Sequence, residues 1–273
     1  MGKNVTTGFT LIELSIVLVI IGLIVGGVLV GQDLIGAAEI RATIGQIEKF
    51  NTATNTFRNK YGYLPGDMPP TTASSFGFFT FTGANAGTPG YGDGDGIITG
   101  TCLQESLVYW RHLSDANLVN AAYGQTTGSN ALDSTTGGVT NTVSGDISGF
   151  LPKAKITGTL YFVAQNYAVG LISPPGKNYF VLQSISSIGA GFMCGPMTWA
   201  AVTPITSNRM DAKIDDGLPL SGRVISNGLW GSSNASGECY AGGSNNVDVK
   251  ATYNTDASAG GNKAACTMNF MFN

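Results

Sequence analysis

Two aspartates in the stretch GDGDG have the spacing of the first two ligands of a calcium-binding loop. Asp93 and Asp95 lie two residues apart, as ligands one and three do in such a loop. The pattern then departs from the consensus, because Ile98 stands where the loop requires glycine and Gln104 where it requires glutamate. A turn rich in Asp-Gly explains the same letters. Two interpretations therefore stay open, a turn and a calcium site, and three further aspartates could add ligands from a distance: Asp211, Asp215 and Asp216.

Four cysteines offer thiol or disulfide chemistry, and their even number favours disulfides in a chain of extracytoplasmic character. Three connectivities are possible. The closest pair in sequence, Cys239 and Cys266, is the favoured one, and it leaves Cys102 with Cys194 by elimination. A disulfide that closes the Cys239–Cys266 loop contributes about 3 kcal/mol to stability in the chain-entropy model. Zinc is disfavoured, since no two cysteines have C-x-x-C spacing.

The sequence carries little that would support catalysis. It has no G-x-S-x-G, H-E-x-x-H, phosphate-loop or dinucleotide-binding motif. The adjacent pair Asp215 and Asp216 is more typical of a helix end than of an acid and a base that face each other. The single histidine, His112, lies off the apolar stripe of its predicted helix, which predicts a surface or capping role rather than a ligand. We therefore expect no enzyme activity and, calcium aside, no cofactor.

The amino-acid composition limits the classes of binding partner and the cellular compartment that we expect for this chain. The chain has 273 residues, a net charge of −3 and only 11% charged residues, with 39 glycines. No basic excess exists to neutralise phosphates, so nucleic acid is not an expected partner. The abundance of glycine with few charges suits an extracytoplasmic, β-rich body with long turns. The length allows one medium domain and an appendage.

A carboxylate interrupts the most apolar segment of the chain. Residues 9–31 read FTLIELSIVLVIIGLIVGGVLVG, which is long enough to cross a hydrocarbon core of about 30 Å. Glu13 is the only charged residue in this run, and an acidic side chain deep in a bilayer costs on the order of 3 kcal/mol. A plain membrane anchor explains the length of the segment but leaves Glu13 unexplained.

The residues before the run give the carboxylate a context. The polar leader MGKNVTTG ends at Gly8, Phe9 follows, and Glu13 is the fifth residue after the leader. In this register the segment resembles the processing site of type IV prepilins and type II secretion pseudopilins. The resemblance covers residues 1 to about 35. It implies cleavage after Gly8 by a membrane-embedded prepilin peptidase, and N-methylation of the new amino terminus at Phe9.

Electrostatics gives Glu13 a role in such a protein. The α-amino group of Phe9 freed by cleavage is largely protonated at neutral pH, and methylation preserves its charge. At about 4 Å and an effective dielectric constant of about 20, a carboxylate attracts an ammonium group with about 4 kcal/mol. A neighbouring subunit's Phe9 would therefore offset the insertion cost of Glu13. The hypothesis is that Glu13 favours assembly and sets the axial register between subunits.

Glycines are frequent in the same apolar run and leave a second alternative open. Close helix packing in a membrane favours small residues. Local melting of the helix, which would let a subunit stretch, is an equally good explanation, because each interior glycine costs about 1 kcal/mol relative to alanine. The residues concerned are Gly22, Gly26, Gly27 and Gly31, with Gly36 beyond the run.

One long helix is expected to carry this segment into the body. No proline occurs before Pro65, and apolar residues continue at helical spacing after residue 32. This amphipathic stripe consists of Ile40, Ile44, Ile47, Phe50, Phe57 and Tyr61. Gly62 and Pro65 end the helix near residue 60. The predicted division is a leader at 1–8, a transmembrane and assembly helix at 9–31, its amphipathic continuation at 32–60 and an extracytoplasmic globular domain at 61–273.

The body is predicted to mix strands with two short helices. Strand-like composition occurs at 156–165, 178–184, 223–230 and 267–272. Helical patterns occur at 103–119 and at 203–217, where Thr203 is the expected cap and Pro204 the first helical residue. The segment 67–100 is predicted to be loop, and 121–149 to be a long exposed excursion.

The expected fold class is α+β and pilin-like, with the long helix packed on an antiparallel sheet. The expected function is a structural, minor or specialised subunit of a type IV pilus or a secretion pseudopilus. The single charge of the leader, Lys3, favours a cytoplasmic leader and a body outside the inner membrane. The implied partners are other pilin subunits, the prepilin peptidase and methyltransferase, and indirectly an assembly platform and ATPase. A tip adhesin and an anchored periplasmic enzyme remain alternatives.

Overall fold

A computed structural model gives the fold, and it describes residues 10–100, 104–124, 131–135, 138–139, 141–166, 176–189, 194–195, 202–227, 239–241, 251–256, 261 and 263–272. The first element is α1 (Leu11–Tyr61), a single helix of 51 residues and therefore about 76 Å long. It begins at the N-cap Thr10 and ends at Gly62, whose φ of 82° is left-handed. A terminal glycine in this conformation is a common helix stop.

The second half of α1 is buried along one face, as the apolar stripe predicts. Its buried side chains are Ile40, Thr43, Ile47, Phe50, Ala53, Thr54 and Phe57. Phe50 makes edge-to-face contacts with Trp110, Phe162 and Phe180, at centroid distances of 4.8, 5.5 and 5.8 Å. Aromatic pairs of this geometry add about 0.5–1.5 kcal/mol each beyond the area that they bury. Phe50 thus joins the helix to both a second helix and the sheet.

The central sheet has four antiparallel strands in the order β2 (Leu160–Gln165), β3 (Asn178–Ser184), β9 (Thr267–Phe272) and β6 (Val224–Asn227). Phe180 is paired with Ala164 on one side and Phe270 on the other, which fixes the register of the three longer strands. Most side chains of β2, β3 and β9 are buried regardless of the face they occupy. The sheet is therefore an interior layer of the body.

The remaining elements surround this sheet. Three helices are α2 (Pro70–Ser75), α3 (Glu105–Asp115) and α4 (Pro204–Ile214). Short strands form a three-stranded sheet from β1 (Val143–Ser144), β4 (Ser187–Ile188) and β5 (Cys194–Gly195), and a two-stranded one from β7 (Tyr240–Ala241) and β8 (Thr252–Tyr253). Helix α3 contacts α1 and β2, and α4 contacts α1, β6 and β8. This α+β, pilin-like architecture is the one that the sequence predicts.

The predicted elements are found, some with narrower bounds: the strand predicted at 156–165 begins at Leu160, and the helix predicted at 103–119 spans Glu105–Asp115. Two further predictions need correction. Strand β9 has its predicted bounds, and α4 starts at Pro204 with Thr203 as its cap. The segment 67–100 is not all loop, because α2 forms where Pro70 opens a helical turn. The described part of 121–149 is not simply exposed. It places Leu132, Val139 and Ile147 in the core, since isolated apolar residues can be buried without any periodic pattern.

Candidate functional site

The first half of α1 has no packing partner within the chain. Every large apolar side chain from Leu11 to Ile35 is at least half exposed, and Leu11 is 90% exposed. An 18-residue window in this helix reaches a mean hydropathy of 2.9 with none of it buried. Among the described residues α1 is the one helix long and apolar enough to cross a membrane, by length and composition. A Cβ atom at any of its glycines before Gly45 would meet nothing within 4 Å, so the isolated subunit favours neither interpretation of those glycines.

Glu13 closes the N-terminus of this helix in a capping box. Its Oε2 accepts hydrogen bonds from the backbone N of Thr10 at 2.9 Å and from Thr10 Oγ1 at 2.8 Å. In return, the backbone N of Glu13 donates to Thr10 Oγ1 at 3.3 Å. The carboxylate therefore lies within one helical turn of the residue after Phe9. Gly8 and Phe9 themselves lie outside the described residues.

A first acidic loop is held by a buried carboxylate. Asp67 is 1% exposed, and its two oxygens accept hydrogen bonds from the backbone N of Gly94 at 2.8 Å and of Gly96 at 2.9 Å. One oxygen of Asp67 lies within 4.8 Å of an oxygen of Asp93 and of Asp95. Asp93 and Asp95 also accept bonds from backbone amides two residues ahead, as in ordinary Asx turns. These bonds support the turn interpretation, and calcium at Asp93 and Asp95 stays a prediction.

Glu105 holds the other side of the same loop from the first turn of α3. Its Oε1 accepts a hydrogen bond from the backbone N of Gly92, and its Oε2 accepts from the backbone N and Oγ1 of Thr99, each at 2.8 Å. Burial raises the pKa of Glu105 to about 7, although the Thr99 and Gly92 amides lower it. Burial, and then the charge of Glu105, raise the pKa of Asp67 to about 7. The glycine-rich loop is therefore held in place by hydrogen bonds to two buried carboxyl groups.

The prediction of a surface or capping role for His112 is wrong. The ring is 1% exposed, its Nδ1 accepts a hydrogen bond from the backbone N of Gly66 at 2.9 Å, and its Nε2 lies 2.7 Å from the carbonyl oxygen of Phe79. Phe57 stacks on it at a centroid distance of 6.0 Å. Burial lowers the pKa of His112 to about 4, so the ring is neutral and joins two loops. Most of helix α3 is buried, so its apolar stripe did not mark its inner face.

The family comparison matches this N-terminal helix. Residues 3–29 match the model described as "Prokaryotic N-terminal methylation motif". The N-terminal segment is of the prepilin type. This is the cleavage and methylation segment of type IV pilins and pseudopilins, as the residues around Gly8, Phe9 and Glu13 indicate. Searches of curated proteins and of solved structures return no significant match to this chain.

The prepilin-type segment explains the exposed half of α1. The apolar helix and the motif together fit anchoring in the inner membrane. The motif also implies processing by a prepilin peptidase and assembly with other pilin subunits in general. The matched family describes a segment of structural pilin proteins rather than an enzyme. It covers only the N-terminal helix, so the body must be interpreted from its own geometry.

The disulfide favoured by sequence distance is present in the body. Cys239 and Cys266 are joined with a Cα–Cα distance of 5.1 Å, and both residues are fully buried. The bond joins the residue before β7 to the residue before β9. The second predicted pair falls outside the description, since Cys102 and the side chain of Cys194 are not among the described parts of the chain.

A second acidic group lies at the end of α4 and does not join the first. Asp211, Asp215 and Asp216 each place one carboxylate oxygen within 4.8 Å of the others. Asp211 is fully buried, and its Oδ2 accepts a hydrogen bond from the hydroxyl of Tyr253 at 2.9 Å. The sequence analysis considered these aspartates only as additional calcium ligands for the site at Asp93 and Asp95. The structure separates the two groups, because each forms its own cluster.

Two functional-looking residues were missed at the level of sequence. Asp67, in the segment Leu64–Asp67 (LPGD), and Glu105, in the helix predicted at 103–119, were not among the candidate residues. One signal was available, since both are isolated acids beside glycine-rich turns whose many backbone amides need acceptors. Their pairing across the loop depends on a contact between segments 38 residues apart, which the linear pattern does not show.

Proposed function

We propose that this chain is a structural subunit of a type IV pilus or a type II secretion pseudopilus, minor or specialised in role. The processed subunit would wait in the inner membrane with residues 61–273 outside the cytoplasm. It would then enter a helical filament through α1. The assembly platform and its ATPase would supply the work, and the chain itself would carry out no chemistry.

The observation that carries this proposal is the contrast between the two halves of α1. From Ile40 onward the helix supplies buried side chains to the core, whereas Leu11 to Val30 are exposed, and Glu13 and Ser15 are the only polar residues among them. A helix that is apolar all round must be covered by lipid or by other helices. A membrane covers it before assembly, and the same segments of neighbouring subunits cover it in a filament.

In this proposal, Glu13 makes filament assembly selective for processed subunits. Among the described residues of the isolated subunit, only the amide and hydroxyl of Thr10 are partners of its carboxylate. Residue Phe9, which would bear the new ammonium group, immediately precedes that cap. In a staggered bundle, a neighbour's ammonium group can approach Glu13 and add about 4 kcal/mol of attraction, which exceeds the insertion cost of about 3 kcal/mol. Such a bond forms only between processed subunits, which would restrict entry to mature chains.

Replacement of Glu13 tests the proposal. We expect Glu13→Ala and Glu13→Gln chains to be processed normally but to be recovered in sheared filaments at less than about a tenth of the normal yield, as a loss of more than 1.4 kcal/mol would give. Asp33→Asn is the matched control, because Asp33 is another exposed carboxylate on α1 and should assemble normally. Processed Glu13→Ala chains that assemble at normal yield would contradict the proposal.

Antibody labelling of the body separates the main proposal from its alternative. Labelling along the whole filament supports a subunit that repeats through the shaft. Labelling confined to the ends supports a tip-located adhesin or binding module that uses the pilin export route. In both cases the label would follow Glu13-dependent assembly, whereas an anchored binding module outside any filament would not.

A further inference from the structure

We propose that Asp211, Asp215 and Asp216 form a calcium site at the C-terminal end of α4. The site is separate from the loop at Asp93 and Asp95, and it does not depend on the proposed filament function. It would hold the end of α4 to the strands that follow it, with oxygen ligands only.

The three carboxylates are close enough to share one cation, and their chemistry suits calcium. Their candidate ligand oxygens all lie within 4.8 Å of one another. Calcium takes six to eight oxygen ligands in a flexible geometry, whereas magnesium demands near-ideal octahedral geometry and is seldom held by protein ligands alone. A set of hard oxygen donors excludes the softer metals that prefer thiolate or imidazole. Calcium is therefore the cation that this group of donors suits best.

An unsatisfied buried atom points to a ligand independently of this spacing. Asp211 is 0% exposed, and its Oδ1 has no hydrogen-bond partner. The amide of Gly217 favours the charged carboxylate but does not reach hydrogen-bond geometry with Oδ1. A charged Oδ1 would lack a donor, and a protonated one would lack an acceptor. Leaving a buried polar atom unpaired is costly, and a bound cation removes this cost.

Among the described residues, no cationic side chain balances the charge of this group. The oxygens of Asp215 accept hydrogen bonds from the backbone N of Arg223 and Val224, and those of Asp216 from the backbone N of Leu218 and from Ser221 Oγ. These partners are neutral groups. Within the described part of the chain, no ion pair involves any of the three aspartates. Three neighbouring carboxylates without a counter-charge repel one another, and this repulsion favours a divalent cation.

The first acidic loop differs from this group in the hydrogen bonding of its buried carboxylate. Its buried carboxylate, Asp67, uses one oxygen for Gly94 and the other for Gly96, so neither oxygen is unsatisfied. Asp211 occupies the corresponding buried position in the second group but uses only Oδ2. The structure thus gives an internal comparison between an acidic cluster that its own amides satisfy and one that they do not.

A cation at this position would join several elements. Asp211 lies in α4, and through Tyr253 it reaches β8 and the hydroxyl of Ser226 in β6. Asp215 holds the first residues of β6, which pairs with β9 next to the Cys239–Cys266 disulfide. Calcium bound here would therefore stabilise the connection between the helix and the edge of the central sheet.

The experiment uses the full chain in detergent micelles with Asp93→Asn and Asp95→Asn, so that the first acidic loop cannot contribute a charged site. Calcium titration by calorimetry should show one site. Calcium at about 100 times its Kd should raise the melting temperature by about 5–10 °C. Terbium should bind at the same position and be sensitised by excitation of Tyr253, whose hydroxyl touches Asp211.

Asp211→Asn and Asp216→Asn, each made in that background, decide the outcome. Changes in the second sphere of a metal commonly weaken binding 10–100-fold, so the loss of a ligand charge should raise the Kd for calcium at least about tenfold. Asp216 is exposed, so its variant tests the site even where Asp211→Asn fails to fold. No calcium binding in the background chain, or an unchanged Kd in both variants, would overturn the proposal.

Discussion

At the scale of single residues, the described part of the body buries three acidic side chains and one histidine whose pKa values move away from their ordinary range. Burial is the first cause in each case. It raises the pKa of Asp67, Glu105 and Asp211 to about 7 and lowers the pKa of His112 to about 4. All four groups are close to neutral in the folded chain at mildly acidic pH. They therefore make stability depend on pH in a direction that can be derived.

The sign follows from the protons that unfolding releases or takes up. The three carboxyls keep protons in the folded state that they lose on unfolding between about pH 4 and pH 7, so their contribution to stability is lost as the pH rises. His112 acts oppositely, because it takes up a proton on unfolding below about pH 6.5, and its contribution is lost as the pH falls towards 4. Three carboxyls outweigh one histidine, and the net effect of these groups favours low pH.

We expect the chain, in the presence of a chelator, to be more stable at pH 5 than at pH 7. The expected difference in the free energy of unfolding is on the order of 3 kcal/mol. Thermal melting at the two pH values measures it. Asp211→Asn should reduce the difference because it removes one of the three carboxyls, and the exposed Asp33→Asn should leave it unchanged. A higher melting temperature at pH 7 than at pH 5 would contradict the assignment of these groups.

At the scale of elements, the turn after α1 shows how backbone geometry and close packing act separately. Gly62 and Gly66 have almost the same left-handed φ, 82° and 85°. A Cβ atom on Gly62 would meet nothing within 4 Å, whereas one on Gly66 would lie 2.4 Å from the carbonyl oxygen of Glu105 in α3. The first glycine ends a helix, and the second lets the LPGD turn pass directly against another helix.

These two glycines allow a matched test. We expect Gly62→Ala to lower the free energy of unfolding by about 1 kcal/mol, because alanine is strained at positive φ. Gly66→Ala should cost at least about 2 kcal/mol more, because the clash is with backbone, which cannot rotate away. Urea unfolding of the two variants measures the difference. Equal losses would show that α3 and the turn are not packed as tightly as described.

At the scale of the whole molecule, helix α1 belongs to two parts of the chain. Its first half is an exposed apolar segment, and its second half is part of the body. Ile40 is the first buried residue of α1, and the body accounts for the other buried side chains of that helix. The span before it contributes nothing to the core. The stability of the body should therefore be independent of the apolar segment, although membrane anchoring and assembly depend on it.

Deletion of residues 1–36 tests this independence. We expect a soluble body that unfolds cooperatively, with a melting temperature within about 2 °C of the full chain in detergent, since surface changes outside the core shift stability by only about 0.5 kcal/mol. Circular dichroism and thermal melting check it. Aggregation without a melting transition would show that the apolar half of α1 takes part in folding.

Mass spectrometry of the native full chain tests processing at the same scale. The intact mass should correspond to a chain that begins at Phe9 and carries one additional methyl group, with the mass of two hydrogens missing for each disulfide. A chain that begins at Met1 would retain its leader, and the proposed bond between Phe9 and Glu13 of neighbouring subunits could then not form.

The sequence by itself determined the local features of this protein. Five features could be inferred from it: the prepilin-type segment, the extent of α1, the strand β9, the cap and first residue of α4, and the Cys239–Cys266 pair. Each of these depends on residues near one another along the chain, on a periodicity, a cap, or a short loop. Such signals are local because the hydrogen bonds and the hydrophobic face of one element are formed by consecutive residues.

Only the tertiary structure decided where the isolated polar residues lie. His112 is buried because Gly66 and Phe79, from other loops, satisfy both ring nitrogens, and no pattern around position 112 shows this. Asp67 and Asp211 have the same residue type, yet one is fully hydrogen-bonded and the other keeps an unpaired oxygen. The physical reason is that the free energy of a buried polar group depends on partners supplied by distant segments, and folding alone brings these together.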